Sequence, residues 1–179
     1  MTSAPVPSPS SGDTSAHNIL LIIDAESLLT HYPSPSQDAA KPTGISDGFI
    51  FFAAGNTSKE IVINDSKITL PVDIGQLIHL RGRTVSLITD HSAVIYGMTV
   101  DNSGILSNPA LEVHTGLTVP APNPQSPTEP SSHKADDHFW ACTTKKPGTV
   151  KCELSFMLVN QQCEAVGYFH WTTEIVIKP

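Results

Sequence analysis

An all-β fold, a single-domain antiparallel β-sandwich, is what this sequence predicts, and three observations predict it. Apolar and polar residues alternate over short runs, turn residues break those runs at close spacing, and there is room for at most one short helix. The alternation is clearest from Gly148 to Lys178. Val150, Cys152, Leu154, Phe156 and Leu158 fall on one face of a strand, with Lys151, Glu153 and Ser155 among the residues between them. Asn160-Gln161-Gln162 then turns the chain. A second run places Phe169, Trp171, Thr173, Ile175 and Ile177 on one face, and Val166, Tyr168 and His170 on the other. Two such strands make a hairpin that needs partner strands to bury its apolar face.

Taken in order, residues 1–16 are Ser, Pro, Thr and Ala with almost no large apolar side chains, and a flexible tail is expected ahead of a domain over 17–179. Asn18–Asp24 (NILLIID) is a continuous apolar run, the pattern of a central strand buried on both faces. AESLLTHY after Asp24 gives one or two helical turns that Pro33 stops. Tyr32–Ser46 holds three prolines and a glycine and reads as an extended surface loop. Gly48–Ala54 is an aromatic-rich second strand. Lys59–Ile63 and Lys67–Leu70 follow around an Asn64-Asp65-Ser66 turn. Gln76–Arg81, Thr84–Thr89 and Ser92–Val100 are further strands, with Arg81-Gly82-Arg83 and Asp90-His91 as the expected connections. Asp101-Asn102-Ser103-Gly104 is a turn signal. A Pro-rich loop is expected at about 118–133, outside the core, and His138–Thr143 returns to a strand. The count is nine or ten strands, with no repeat at a fixed period.

Composition excludes several function classes. A net charge of −7, with both arginines at Arg81 and Arg83, gives no basic patch for nucleic acid or an anionic membrane surface. No apolar run reaches the roughly 18 residues of a membrane span. MTSAPVPSPSSGDTSAH lacks the basic start and apolar core of a signal peptide, which points to a cytoplasmic protein. Cys142, Cys152 and Cys163 have no CxxC spacing and read as reduced thiols, with a Cys142–Cys152 bridge across adjacent strands as the alternative.

The residues that could carry chemistry are few, and each has a plainer reading. Asp24 and Glu26 could form a carboxylate pair, but Asp24 in front of Ala25 suits a helix cap. His133-Lys134-Ala135-Asp136-Asp137-His138 could collect a metal only adventitiously, for it lies beside the Pro-rich loop. Cys152 or Cys163 with His170 could form a thiol–imidazole pair, although Cys152 falls on the apolar face of its strand. There is no Walker loop and no G-x-G-x-x-G. No catalytic residue, metal site or cofactor is therefore assigned. Trp171 shares the core face of its strand. Tyr168 and His170 face the other way and, with Asp101 and Asn102 in a turn, are the candidate ligand-binding residues.

Several strings along the chain resemble the AidA/PixA inclusion-body protein family. They are NILLIIDAESLL (18–29), YPSPSQD (32–38), PTGI (42–45), FIFFAAGN (49–56), Ile74–Arg81, SLIT (86–89), Val94–Tyr96, GTVKCELSFMLV (148–159) and VGYFHW (166–171). YPSPSQD…PTGI and GYFHW are the specific parts. The chain resembles a divergent member: Gln76 and Leu80 stand where the family has Asp and Trp, and Thr172-Thr173 follows the closing Trp in place of Asp-Pro. The resemblance implies a bacterial, non-enzymatic protein under quorum-sensing or growth-phase control that accumulates, in some members as intracellular inclusions, or contacts a host. It carries no catalytic residues with it. Inclusion-forming relatives can be rich in methionine, whereas this chain has three. The expected partner is another copy of the chain, as a homodimer or larger assembly; a carbohydrate- or small-ligand-binding module is the alternative.

Overall fold

In the computed structural model, which describes residues 16–55, 62–64, 67–86 and 90–178, the elements follow in the order β1 (His17–Ile23), α1 (Ala25–His31), β2 (Thr43–Gly44), a 3-10 turn (Asp47–Phe49), β3 (Ile50–Gly55), β4 (Val62–Asn64), β5 (Lys67–Pro71), β6 (Leu77–Thr84), β7 (Ser92–Val100), β8 (Ala110–Ala121), β9 (Ser131–Thr143), β10 (Gly148–Val159) and β11 (Ala165–Lys178). One sheet has the order β3-β1-β6-β9-β8, the other β4-β5-β11-β10-β7, with β2 beside β11. The all-β reading holds. The expected tail over 1–15, residues 59–61, the turn residues Asp65 and Ser66, and residues 87–89 of the expected Thr84–Thr89 strand lie outside the described residues.

The sheets are mixed where a purely antiparallel sandwich was expected. β6 runs parallel to β1, and β5 and β2 run parallel to β11. The cause is the path of the chain. After β3 it crosses to the second sheet for β4 and β5, and returns to place β6 on the open side of β1 in the same direction.

Alternation decides what is inside. Ile19, Leu21 and Ile23 of β1, Ile78 and Leu80 of β6, Val150 through Leu158 at every second position of β10, and Phe169, Trp171, Ile175 and Ile177 of β11 meet between the sheets. Leu20 and Ile22 on the outer face of β1 are only half-buried, so the expected two-sided burial is one-sided. Asp24 caps α1 as expected, its Oδ1 accepting from the Ser27 N–H at 3.1 Å, and Ala25 and Leu28 join the core. Trp140 ties the sheets together, its Nε1–H donating to the Ile95 carbonyl at 3.1 Å.

Two sequence expectations need correction. Arg81-Gly82-Arg83 is not a connection but the middle of β6. Gly82 stands there because Ile95 of the facing sheet fills the space a side chain would need: a Cβ would come within 2.9 Å of it. The Pro-rich loop is shorter than expected. β8 and β9 extend into it from both sides and leave only 122–130 as the link. Pro120 is accommodated because β8 is an edge strand, where one side of the backbone needs no partner.

Candidate functional site

The four predicted ligand-binding residues are not brought together. Tyr168 and Glu174 are six residues apart on β11, and Glu174 pairs with Lys151, which Asp101 holds. That places the two pairs roughly 20 Å apart along the sheet. Asp101 is occupied structurally: its Oδ1 accepts from the Lys151 N–H at 2.9 Å, and its own N–H donates to the Lys151 carbonyl. Asn102 closes the following turn by accepting from the Gly104 N–H at 3.0 Å.

Tyr168 and His170 do lie on the outer face of β11, and the 32–46 segment runs beside that strand, bridged at Ser36 and paired through Thr43–Gly44. The Tyr168 N–H donates to the Ser36 carbonyl at 2.9 Å, and the Ile45 N–H to the His170 carbonyl at 3.0 Å. The Gln37 side-chain amide donates to the Val166 carbonyl, and the Tyr96 hydroxyl to the Ala39 carbonyl at 3.0 Å. The Tyr96 and Tyr168 rings meet edge to face with centroids 5.8 Å apart. Gly167, on the other face of β11 with Phe169, leaves room for Pro35, which a Cβ there would overlap. The expected surface loop is thus a fitted cover, and the aromatic pair beneath it holds the cover down.

The remaining candidates settle into structural roles. Glu26 pairs with His91 Nδ1 at 2.7 Å and accepts from the Ser86 hydroxyl at 3.3 Å, so it does not join Asp24. The His133–His138 run lies on β9, where alternation sends Asp136 and His138 to one face and His133 and Asp137 to the other. Among the described residues no group of three or more His, Cys, Asp or Glu side chains could hold a metal ion. Cys142 and Cys152 are free thiols on strands of opposite sheets, so the bridge across adjacent strands does not form. Burial pushes both thiols up to about 12. Cys152 faces the core and His170 the outside of the same sheet, so no thiol–imidazole pair arises. Cys163 sits exposed in the β10–β11 turn at φ 61°.

What the sequence reading missed is the β8–β9 arm. Only Trp140–Thr143 of β9 pairs with β6; the rest of β9 pairs with β8 alone. Leu111, Val113 and Leu117 of β8 are 49%, 55% and 39% exposed, half of the large exposed apolar side chains among the described residues. The alternation in ALEVHTGLTV (110–119) was the signal. A β-bulge interrupts it at Thr115-Gly116, where the Gly116 N–H donates to Asp136 Oδ1 at 2.8 Å. At the arm's root the His79 ring stacks on Phe139 with centroids 4.1 Å apart, His114 meets the same ring at 5.1 Å, and Arg81 lies over it and pairs with Asp137 at 3.0 Å. Desolvation lowers the His79 pKa, opposed by Glu112 and aided by Arg81 and His114. Beside the arm, Arg83, Thr84, Ser86, Ser92, Asp136 and His138 line an open cleft.

A two-sheet sandwich with a long, uncovered edge strand and no assembled reaction centre among its described residues defines the class: a β-rich scaffold whose distinctive feature is a surface. The profile of the PixA inclusion body proteins matches residues 15–177, and the chain belongs to that family. The crystal structure of an inclusion body protein of this family from Burkholderia cenocepacia superposes with a TM-score of 0.74 at 18% identity, covering 95% of this chain and 100% of that one. The structure of PbICP-C in complex with falcipain-2 aligns at 14% identity over 76% of this chain and 99% of that one, but its TM-score of 0.27 carries no argument. No curated protein matches the sequence. No helix among the described residues is long and apolar enough to cross a membrane.

Proposed function

We propose that this protein is a non-enzymatic cytoplasmic accessory protein that acts by accumulating and assembling with copies of itself, under quorum-sensing or growth-phase control and with host contact as its outward role. The observation that carries the reading is the β8 edge: twelve residues of strand with one side unpaired among the described residues and three exposed apolar side chains. Such an edge is a template for another strand, and the bulge at Thr115-Gly116 and Pro120 confine its regular open stretch to 110–114. Family membership supports accumulation as inclusions. Of the side chains offered by the sequence for catalysis, Asp24 caps α1, Glu26 is held by His91 and Ser86, and Cys152 is buried away from His170, which supports a role without chemistry. A ligand-binding role finds less support, since Tyr96 and Tyr168 are spent on holding the 32–46 cover.

Size-exclusion chromatography with light scattering over a concentration series tests this reading. A dimer or larger species that grows with concentration is expected. A monomer at every concentration up to about millimolar, the weak end of specific association, overturns it.

A further inference from the structure

We infer that two copies of the chain pair through β8 in one register, antiparallel about a two-fold axis at Val113, joining their five-stranded sheets into one. The inference rests on the self-association reading and assigns its interface. The stretch of β8 available for pairing is short. Pro109, which has no N–H to give, bounds it on one side, and the bulge at Thr115-Gly116 on the other.

Within that window the side chains choose the register. A two-fold axis perpendicular to the sheet puts one residue opposite its own copy, because directly opposed residues must point to the same face. With Val113 on the axis, each Glu112 faces the His114 of the partner subunit, and each Leu111 faces the Thr115 of the partner subunit. Glu112 and His114 already share one face within a chain, Glu112 Oε2 and His114 Nε2 3.6 Å apart, so two copies give a block of four alternating groups. On the opposite face the two exposed Val113 side chains meet, each with a Leu111 on its diagonal, as a short apolar strip. Moving the axis to Glu112 sets two carboxylates against each other, and moving it to His114 sets two imidazoles against each other and Glu112 against the bulge. Moving it to Leu111 sets Val113 against Pro109. A carboxylate facing an imidazole can accept its N–H, whereas two carboxylates repel, so of these registers only the one at Val113 satisfies both faces.

The register is tested by crosslinking at the axis. In a Cys163→Ser background, Val113→Cys places the two introduced thiols on directly opposed residues, whose Cα separation of about 4.5–5.5 Å suits a disulfide. Mild oxidation is expected to give covalent dimer on a non-reducing gel. Leu111→Cys is expected to give none, since its two copies stand four residues apart. In a parallel series read by light scattering, Glu112→Lys is expected to raise the dimer dissociation constant roughly tenfold, and the double variant Glu112→Lys/His114→Glu to restore it. Glu112 and His114 are exposed, and circular dichroism checks that each variant keeps its fold. An oligomer that ignores Glu112→Lys, with no crosslink from Val113→Cys, overturns this interface and leaves self-association standing. A monomer throughout overturns both.

Discussion

Two kinds of thiol show how strongly position controls a side chain here. Cys142 and Cys152 are sealed between the sheets, where burial raises the cost of the thiolate and holds each near 12. Cys163 stands in solvent on a turn. In the native protein one thiol of the three should react promptly with a disulfide reagent, and all three only after unfolding; prompt reaction of two or more would contradict the buried placement. The histidines give a pH dependence whose sign is fixed by their burial. His17 and His79 are lowered from 6.5 by desolvation, against the raising fields of Asp73 on His17 and of Glu112 on His79, with Arg81 and His114 adding to the lowering at His79. As pH falls below 6.5 the unfolded chain takes up protons before the folded one does. The stabilisation from keeping these rings neutral is therefore complete above 6.5 and drains away as pH falls through the folded values. Urea midpoints measured across that range should fall on acidification, with a shallower fall in His79→Asn. An unchanged slope in that variant would remove His79 from the account.

At the scale of the element, turns and covers depend on single atoms. Thr144 is 1% exposed; its hydroxyl donates to the Asp73 carbonyl at 2.6 Å and accepts from the Gln76 N–H at 3.0 Å, fastening the β5–β6 turn to the end of β9. Thr144→Val keeps the shape and strands both groups, so a loss of about 1–3 kcal/mol in denaturant unfolding is expected. Gly167 governs the 32–46 cover in the same way. Gly167→Ala puts a methyl group into Pro35, and overpacking of this kind costs roughly 1–3 kcal/mol. Hydrogen exchange should locate the change: the Tyr168 amide, which donates to Ser36, should lose protection while amides in the middle of β10 keep theirs. Uniform loss across both sites would mean that the cover is not a separable unit.

Across the whole molecule, stability depends on pairings distant in sequence. Glu174–Lys178 closes the second sheet by lying parallel to Lys67–Pro71, and Ile175 and Ile177 are 2% exposed there. A chain ending at Thr173 loses that pairing and both buried side chains. Each isoleucine alone is worth about 2–5 kcal/mol against a domain stability of about 5–15 kcal/mol. Such a chain should show no cooperative thermal transition by circular dichroism; a sharp melt would mean that β5 finds another partner. The first sheet closes in the same long-range manner, through β1 and β6.

By itself the sequence determined what is local. The Val150–Leu158 and Phe169–Ile177 alternations placed the right side chains in the core, Asp24 announced the cap of α1, and the scattered strings carried the family, because periodicity and capping are written in neighbouring residues. Only the tertiary structure decided which strands meet. Parallel pairing of β1 with β6 follows from a crossing between sheets that no local pattern records. Gly82 reads as a turn until Ile95 is seen to occupy its space, and Tyr168 and His170 read as open surface until the 32–46 segment is seen to run beside them. The arm shows the limit most plainly: ALEVHTGLTV carries the alternation of a half-buried strand, yet Leu111 and Val113 are exposed on β8, which ends its sheet among the described residues. Alternation tells a strand which face to bury; the presence of something to bury it against is a property of the whole fold.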